Sequence, residues 1–155
     1  MLQFKWMDWD ELTPYLEQLV ELEIELTQKY HYPDMNIPRS FAEDRVKKFE
    51  THMKSGNTFF WAIIIDGDNL LGYYWAYISI FINLKRWNLR SLMFRNEIKG
   101  QGYGILAIQT GLQKAIELGC DEVATEYVPW NKPMAQMLEK NGYMPSRIEV
   151  VKKLK

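Results

Sequence analysis

The sequence is poor in metal and disulfide chemistry: among 155 residues it has one cysteine, Cys120, and two histidines, His31 and His52. A lone cysteine has no internal disulfide partner, and two histidines so placed give no zinc-ligand spacing. Stapled scaffolds are set aside, and a reducing, cytoplasmic setting is expected. No apolar run reaches the roughly 20 residues that span a bilayer. Residues 1–10 are amphipathic and contain acids, unlike a signal peptide. There is no internal repeat, no low-complexity linker and no nucleophile motif. An excess of one charge is also missing: the formal net charge is −1, which argues against a chain that coats nucleic acid or anionic lipid.

What is present is a length suited to one domain, residues 1–155, able to bury roughly 70% of the unfolded surface. Its 22 aromatic residues, 6 Trp, 9 Tyr and 7 Phe, favour strands and a lined pocket over disorder. The small net charge hides a division. Residues 1–77 carry 13 acids and 7 bases, whereas residues 78–155 carry 7 acids and 12 bases. An anionic ligand, if the protein has one, is therefore expected in the second half.

Patterning gives the element order. Residues 2–7 read as a short strand. From Asp10 an apolar stripe, Leu12, Leu16, Leu19 and Leu22 or Glu23, predicts a helix that ends by Tyr32-Pro33. Glu17, Glu21 and Glu25 form an acidic stripe on it, read either as a solvated face or as an attraction for a cationic amine. Ser40 with Glu43 predicts a capping box, followed by Ala42, Val46, Phe49 and Met53 on one helical face. Residues 58–65 and 70–81 predict a hairpin about Asp66-Gly67-Asp68-Asn69, with Tyr73, Trp75 and Tyr77 on one face and Tyr74, Ala76 and Ile78 on the other. Residues 88–94 are a further strand. After the loop comes a helix whose apolar face is read as Ile105, Ile108, Leu112, Ala115 and Ile116, ended by Gly119. Residues 122–128 are β-rich, Asn131 caps a short helix ended by Asn141-Gly142, and residues 148–154 predict a last strand. The order implies a mixed α/β (α+β) sheet domain.

The informative segment is Lys99-Gly100-Gln101-Gly102-Tyr103-Gly104, between a strand and a helix N-terminus. The first N–H groups of a helix lack intrahelical partners and sit at the positive end of its dipole. Glycines let a ligand approach the backbone, so phosphate is the natural occupant. A plain glycine turn is one alternative. A dinucleotide fingerprint is another, since Gly102, Gly104 and Ala107 match G-x-G-x-x-A. Against it, only about 50 residues follow, too few for a second mononucleotide half. No Gly-Lys-Ser/Thr follows, which removes the Walker A pattern.

Residues 92–104, LMFRNEIKGQGYG, resemble motif A of the GNAT acyl-CoA N-acyltransferase family, in which a strand leads through R/Q-x-x-G-x-G/A into a helix. Thr125-Glu126-Tyr127 and Asn131, then the run to Gly142-Tyr143, are similar to the family's later segments. The resemblance covers nearly the whole chain. It implies a mixed, mostly antiparallel sheet with a splayed central parallel strand pair, helices on both faces, and acetyl-CoA in the splay. It further implies that Phe94 backbone groups bond pantetheine. The amides of Lys99, Gly100, Gln101, Gly102, Tyr103 and Gly104 would hold the pyrophosphate, and Asn131 would face the pantetheine arm. Family members acylate an amine directly. The implied acceptor is a small-molecule or peptide amine, with no nucleic acid or membrane as partner and with room for a homodimer.

Two departures bear on the chemistry. Lys99 replaces the usual Arg or Gln, and Leu138 stands where many relatives carry a thiolate-protonating tyrosine. Tyr127, Tyr143 and Tyr103 are the alternative phenols, with Tyr127 taken as the candidate acid and Glu126 as the candidate base acting through water. Glu97 and His31 read as surface residues, and a non-catalytic acyl-CoA-binding module is the rival reading.

Overall fold

The computed structural model describes residues 2–56 and 59–154. In chain order these form β1 (Gln3–Met7), α1 (Trp9–Leu12), a 3-10 turn (Thr13–Tyr15), α2 (Leu16–Leu26) continued by a π turn (Thr27–His31), and α3 (Arg39–Lys54). Then come β2 (Phe59–Asp66), β3 (Asn69–Phe81), β4 (Leu84–Phe94), α4 (Tyr103–Glu117), β5 (Glu122–Thr125) and α5 (Lys132–Lys140). The five strands lie in the order β1-β2-β3-β4-β5, all antiparallel neighbours except the parallel pair β4 and β5.

The alternation of side chains along β2, β3 and β4 divides the core between two helical layers. Trp61, Ile63, Tyr73, Trp75 and Met93 meet Leu12, Leu19, Leu22, Val46 and Phe49 of α1–α3. On the other face Ala62, Tyr74, Ala76, Trp87 and Leu89 meet Ala107, Ile108, Ala115 and Leu138 of α4 and α5. The expected Tyr73/Trp75 and Tyr74/Ala76 division is therefore seen. The β2–β3 turn is Gly67-Asp68, with Gly67 at φ 58°. The predicted start of β2 at Thr58 lies outside the described residues.

Four expectations are corrected. Helix α3 begins at Arg39 on an extended Pro38, and no side chain caps it. Ser40 is thus already inside the helix, and the Glu43 carboxylate is held by Arg39 Nε at 2.7 Å rather than reaching back to a cap. The capping box is instead Asp8 with Glu11 at the start of α1. Second, α4 buries Ala107, Ile108, Gly111 and Ala115, leaving Ile105, Leu112 and Ile116 exposed. Small residues win that face because the Tyr74 hydroxyl stands against Gly111, where a Cβ would lie 2.1 Å from it. Third, β5 stops at Thr125 rather than Val128. Fourth, residues 148–154 adopt no strand: alternation makes a strand only where another edge supplies hydrogen bonds, and among the described residues none does.

Candidate functional site

The site begins with a defect in the sheet. The parallel register runs from Arg86 opposite Glu122 to Leu89 opposite Thr125 and then ends, while β4 continues to Phe94. On its other edge β4 shifts register, so that Trp75 faces Ser91 and Ala76 faces Leu89, with Arg90 as the extra residue. A bulge bends its strand and increases the local twist, which accounts for the two parallel strands separating just there. Across the opening Arg90 reaches Glu126, Nη1 to Oε2 at 3.3 Å.

At the far end of β4 a 3-10 turn, Asn96–Ile98, leads to the glycine loop. Gly100 and Gly102 hold φ of 78° and 89°, a region that favours glycine, and a Cβ at either would meet nothing within 4 Å. The first helical bond of α4 runs from Leu106 N–H to the Gly102 carbonyl at 3.1 Å. The N–H groups of Tyr103, Gly104 and Ile105 thus precede the helical ladder, and no side chain caps this end. Gly104 is the point of closest packing: a Cβ there would stand 3.0 Å from Met137 Sδ and 3.7 Å from the Phe94 ring. Gln101 ties the loop back on itself, Nε2 donating to the Glu97 carbonyl at 2.6 Å. Lys99 Nζ donates to Asn96 Oδ1 at 2.7 Å. Burial, then the neighbouring Lys29, hold the Lys99 ammonium pKa below its ordinary value. Lys29 was not singled out from sequence.

The acidic stripe of α2 is a largely solvated face, as expected, but each of its carboxylates has a basic partner. Glu17 pairs with Arg39, Glu21 with Arg95 at 3.1 Å, and Glu25 lies 3.8 Å from Lys99. Arg95 also donates from Nε to the Leu70 carbonyl at 2.9 Å. The stripe therefore steadies the two ends of the β4–α4 connection.

On the other lip Glu126 and Tyr127 are exposed. Asn131 Oδ1 accepts the Met134 N–H at 3.4 Å, capping α5. Leu138 is buried against the sheet. Tyr143 is half-buried beside the same cluster, and burial raises its phenol pKa. Tyr103, in the first turn of α4, is also half-buried. Below the opening is a group that the sequence reading passed over as an apolar stripe position. Glu23, with no exposed surface, accepts Tyr73 O–H at 2.5 Å and Arg45 Nε at 3.0 Å. Burial, then Glu23, push the Tyr73 phenol far above its ordinary pKa. His31 senses Arg45, Arg90, Glu23 and Glu126. Desolvation first, then the two arginines, lower its pKa from 6.5. An acid inside an apolar helical stripe was the available signal for Glu23; nothing local announces its partners.

Two surface concavities, about 470 and 230 Å³, both border Trp6 and Lys114 and contain none of the loop residues. Among the described residues no three His, Cys, Asp or Glu side chains gather as a metal site, and no described helix is long and apolar enough to cross a membrane.

Residues 16–143 match the pattern of the Acetyltransferase (GNAT) family. A curated relative, "Uncharacterized N-acetyltransferase YdgE" of Bacillus subtilis (strain 168), is 29% identical over 100 residues, and the matched region spans 64% of each chain. Among solved structures, a transcriptional regulator from Bacillus halodurans C-125 superposes with a TM-score of 0.78 at 13% identity, covering 99% of this chain and 100% of that one. The aminoglycoside N-acetyltransferase AAC(6')-Iy in complex with CoA gives 0.72 at 14% identity, covering 100% and 96%. At such identities the structural likeness is one of fold.

Proposed function

The chain belongs to the Acetyltransferase (GNAT) family, and on that premise we propose that residues 1–155 act as one unit that transfers an acetyl group from acetyl-CoA directly to a primary amine of a small molecule or peptide. The observation that carries this is the β4–β5 opening placed beside an uncapped helix N-terminus with two left-handed glycines. Coenzyme A fits what is there: its phosphates need backbone donors with open space before them, which Gly100 and Gly102 leave. Its pantetheine amides need an unpaired strand edge, which β4 offers to β5's side beyond Leu89.

In this reading Lys99, Gly100, Gln101, Gly102, Tyr103 and Gly104 hold the pyrophosphate and Phe94 backbone groups bond the pantetheine. Asn131, whose Oδ1 is engaged at the helix cap, faces the arm with its amide nitrogen. Bound acetyl-CoA supplies the thioester. The amine must arrive neutral, so Glu126 takes its proton through water, a role its exposed place on the lip permits. As the N–C bond formed the C–S bond would break, the departing thiolate would take a proton from Tyr127, and the proton that the acylated nitrogen gives up would return through water to the Tyr127 phenolate. An amine acceptor agrees with the N-acetyltransferase names of YdgE and of the aminoglycoside enzyme. No nucleic acid or membrane enters the scheme.

One observation favours the rival reading of a non-catalytic acyl-CoA-binding module: Leu138, at the usual acid's position, is core and carries no donor. Calorimetry with coenzyme A and thiol release from acetyl-CoA across an amine panel decide between them. We expect micromolar binding, amine-dependent thiol release, and a loss of about tenfold or more in affinity on Gly104→Glu, where a carboxylate meets phosphate and Met137. Binding without release at any amine supports the module. Absence of binding overturns both.

A further inference from the structure

At the level of residues 86–89 of β4 the two faces of the sheet are unequally covered. Trp87, Leu89 and Val123 pack under α4 and α5. Side chains alternate along a strand, so Arg86, Asn88, Glu122 and Ala124 lie on the opposite face, where each is half-buried or exposed. The helical cover on that side ends in a row of rings. His52 of α3 stacks on Phe59 at 4.7 Å and 21°. Phe59 lies near parallel to Trp75 at 6.4 Å and 18°, and to Tyr77 at 6.0 Å and 27°. Trp75 is buried, whereas Phe59 and Tyr77, at the margin of the cover, keep part of their surface in water. Tyr77 stands beside Asn88 in register, and Asn88 beside Ala124. A bare strip therefore runs from the rings across β4 to β5.

That strip leads to the opening between the parallel strands. Trp75 lies opposite Ser91, the first residue beyond the Arg90 bulge, and Glu126 follows Ala124 by two residues. Glu126 belongs to this side of the sheet, since its charge and that of Arg90 both act on His31 at the end of α2's π turn. The strip thus joins an aromatic end to an anionic one, where the Glu126 side chain is 87% exposed. Two strand intervals and one two-residue step separate Tyr77 from Glu126, about 12 Å between backbones. Side chains reaching in from both ends leave a span that a flat ring with a two-carbon amine arm bridges. The Asn88 amide between them is engaged, Nδ2 donating to Ser79 Oγ at 2.9 Å and to the Tyr77 carbonyl at 3.3 Å. The strip accordingly suits a ring face better than a set of hydroxyl groups.

We propose that the acceptor is an arylalkylamine, its ring stacked on Tyr77 at the open end of the row and its amine carried to Glu126 beside the opening. The ring gains apolar burial and an aromatic partner, and the ammonium meets a carboxylate before it loses its proton. Tyr77 is then the residue that sets specificity, held in place by Phe59 and Trp75 behind it. This deepens the acetyl-transfer reading and rests on it for the presence of an amine.

The test is binding, so that the two can fail separately. Calorimetry measures 2-phenylethylamine and 2-cyclohexylethylamine against the full chain saturated with coenzyme A. Both carry the same amine arm, and the cyclohexyl ring is the more hydrophobic, so burial alone favours it. We expect the phenyl amine to bind about threefold or more tighter. Tyr77→Leu, which keeps an apolar side chain, should erase that preference, and Tyr77→Phe should keep it. Circular dichroism and coenzyme A affinity should be unchanged in both. Thiol release from acetyl-CoA is followed with the same two amines. A phenyl preference in binding without release supports the inference and removes only acetyl transfer. Release with both amines but no phenyl preference overturns only the inference. Absence of 2-phenylethylamine binding, or a preference that survives Tyr77→Leu, overturns it as well.

Discussion

Glu23 sets the strongest constraint at the scale of single residues. A carboxylate without exposed surface is tolerated only because Tyr73 and Arg45 both donate to it. Removing one partner of a buried pair leaves a bare charge and costs about 3–5 kcal/mol, whereas replacing the pair by neutral groups is often mild. Arg45 keeps over a third of its side chain in water, so Arg45→Met should cost less, about 2–3 kcal/mol in urea unfolding. Adding Glu23→Gln should restore more than half of that loss; an additive double variant would show that the pair is not a unit. His31 gives a pH signature with a definite sign. Its folded pKa lies below 6.5, through burial and then the charges of Arg45 and Arg90. The unfolded chain therefore binds the proton first, and stability falls as pH drops below about 6.5. His31→Gln should flatten the decline in melting temperature between neutral pH and about pH 5. Sequence reading placed His31 at the surface, and the residue is exposed there, but one histidine read alone shows nothing of the charges around it. Its neighbours come from α3, β4 and the β5 lip, all remote in sequence.

Among the elements, α4 shows what periodicity can and cannot deliver. Its existence and its stop at Gly119 followed from local chemistry, while its start, expected after Gly104, comes two residues earlier at Tyr103, on the left-handed Gly102. Its rotation did not follow, because the largest apolar residues, Ile105, Leu112 and Ile116, are outside and the small ones are inside. The contact that decides this is Gly111 on Tyr74, whose hydroxyl accepts the Trp87 indole N–H at 2.7 Å. Burial pushes the Tyr74 phenol well above its ordinary pKa, so it stays protonated throughout any working range. On propensity alone Gly111→Ala would stabilise a helix interior. Here we expect a loss of about 1–3 kcal/mol, because the methyl overlaps a hydroxyl that has nowhere to move. Tyr74→Phe should recover part of it, as read by paired denaturation curves; a stabilising Gly111→Ala would refute the contact. The same distinction separates the rest of the fold. The hairpin at Gly67-Asp68 was legible from Asp-Gly, but the β4 bulge at Arg90, which opens the site, was not. Its sequence, Asn88-Leu89-Arg90-Ser91, carries no glycine or proline, and the irregularity arises from pairing with β3 rather than from local preference.

Over the whole molecule, the opposed charges of the two halves take on a structural meaning. Most carboxylates of the acidic half face solvent, but Glu21 and Glu25 cross to Arg95 and Lys99 of the basic half and hold the glycine loop to α2. Such partly exposed pairs contribute about 0–1 kcal/mol each, so salt should change the melting temperature of the free chain little. In the proposed function a bound polyanion is a different case, because its phosphates would face Lys99 and the α4 dipole together. At a hundredfold excess over its dissociation constant, coenzyme A should stabilise the fold by about 2.7 kcal/mol. For a chain of this size that is about 5–11 °C in melting temperature, at roughly 2–4 °C per kcal/mol. Molar sodium chloride shortens the screening length to about 3 Å and should shrink the ligand-induced shift at fixed coenzyme A while leaving the free chain's midpoint nearly in place. Lys99→Gln should reduce both the shift and its salt sensitivity. A shift that is large yet indifferent to salt would mean that the loop holds coenzyme A by backbone geometry alone, and that the basic half has another purpose.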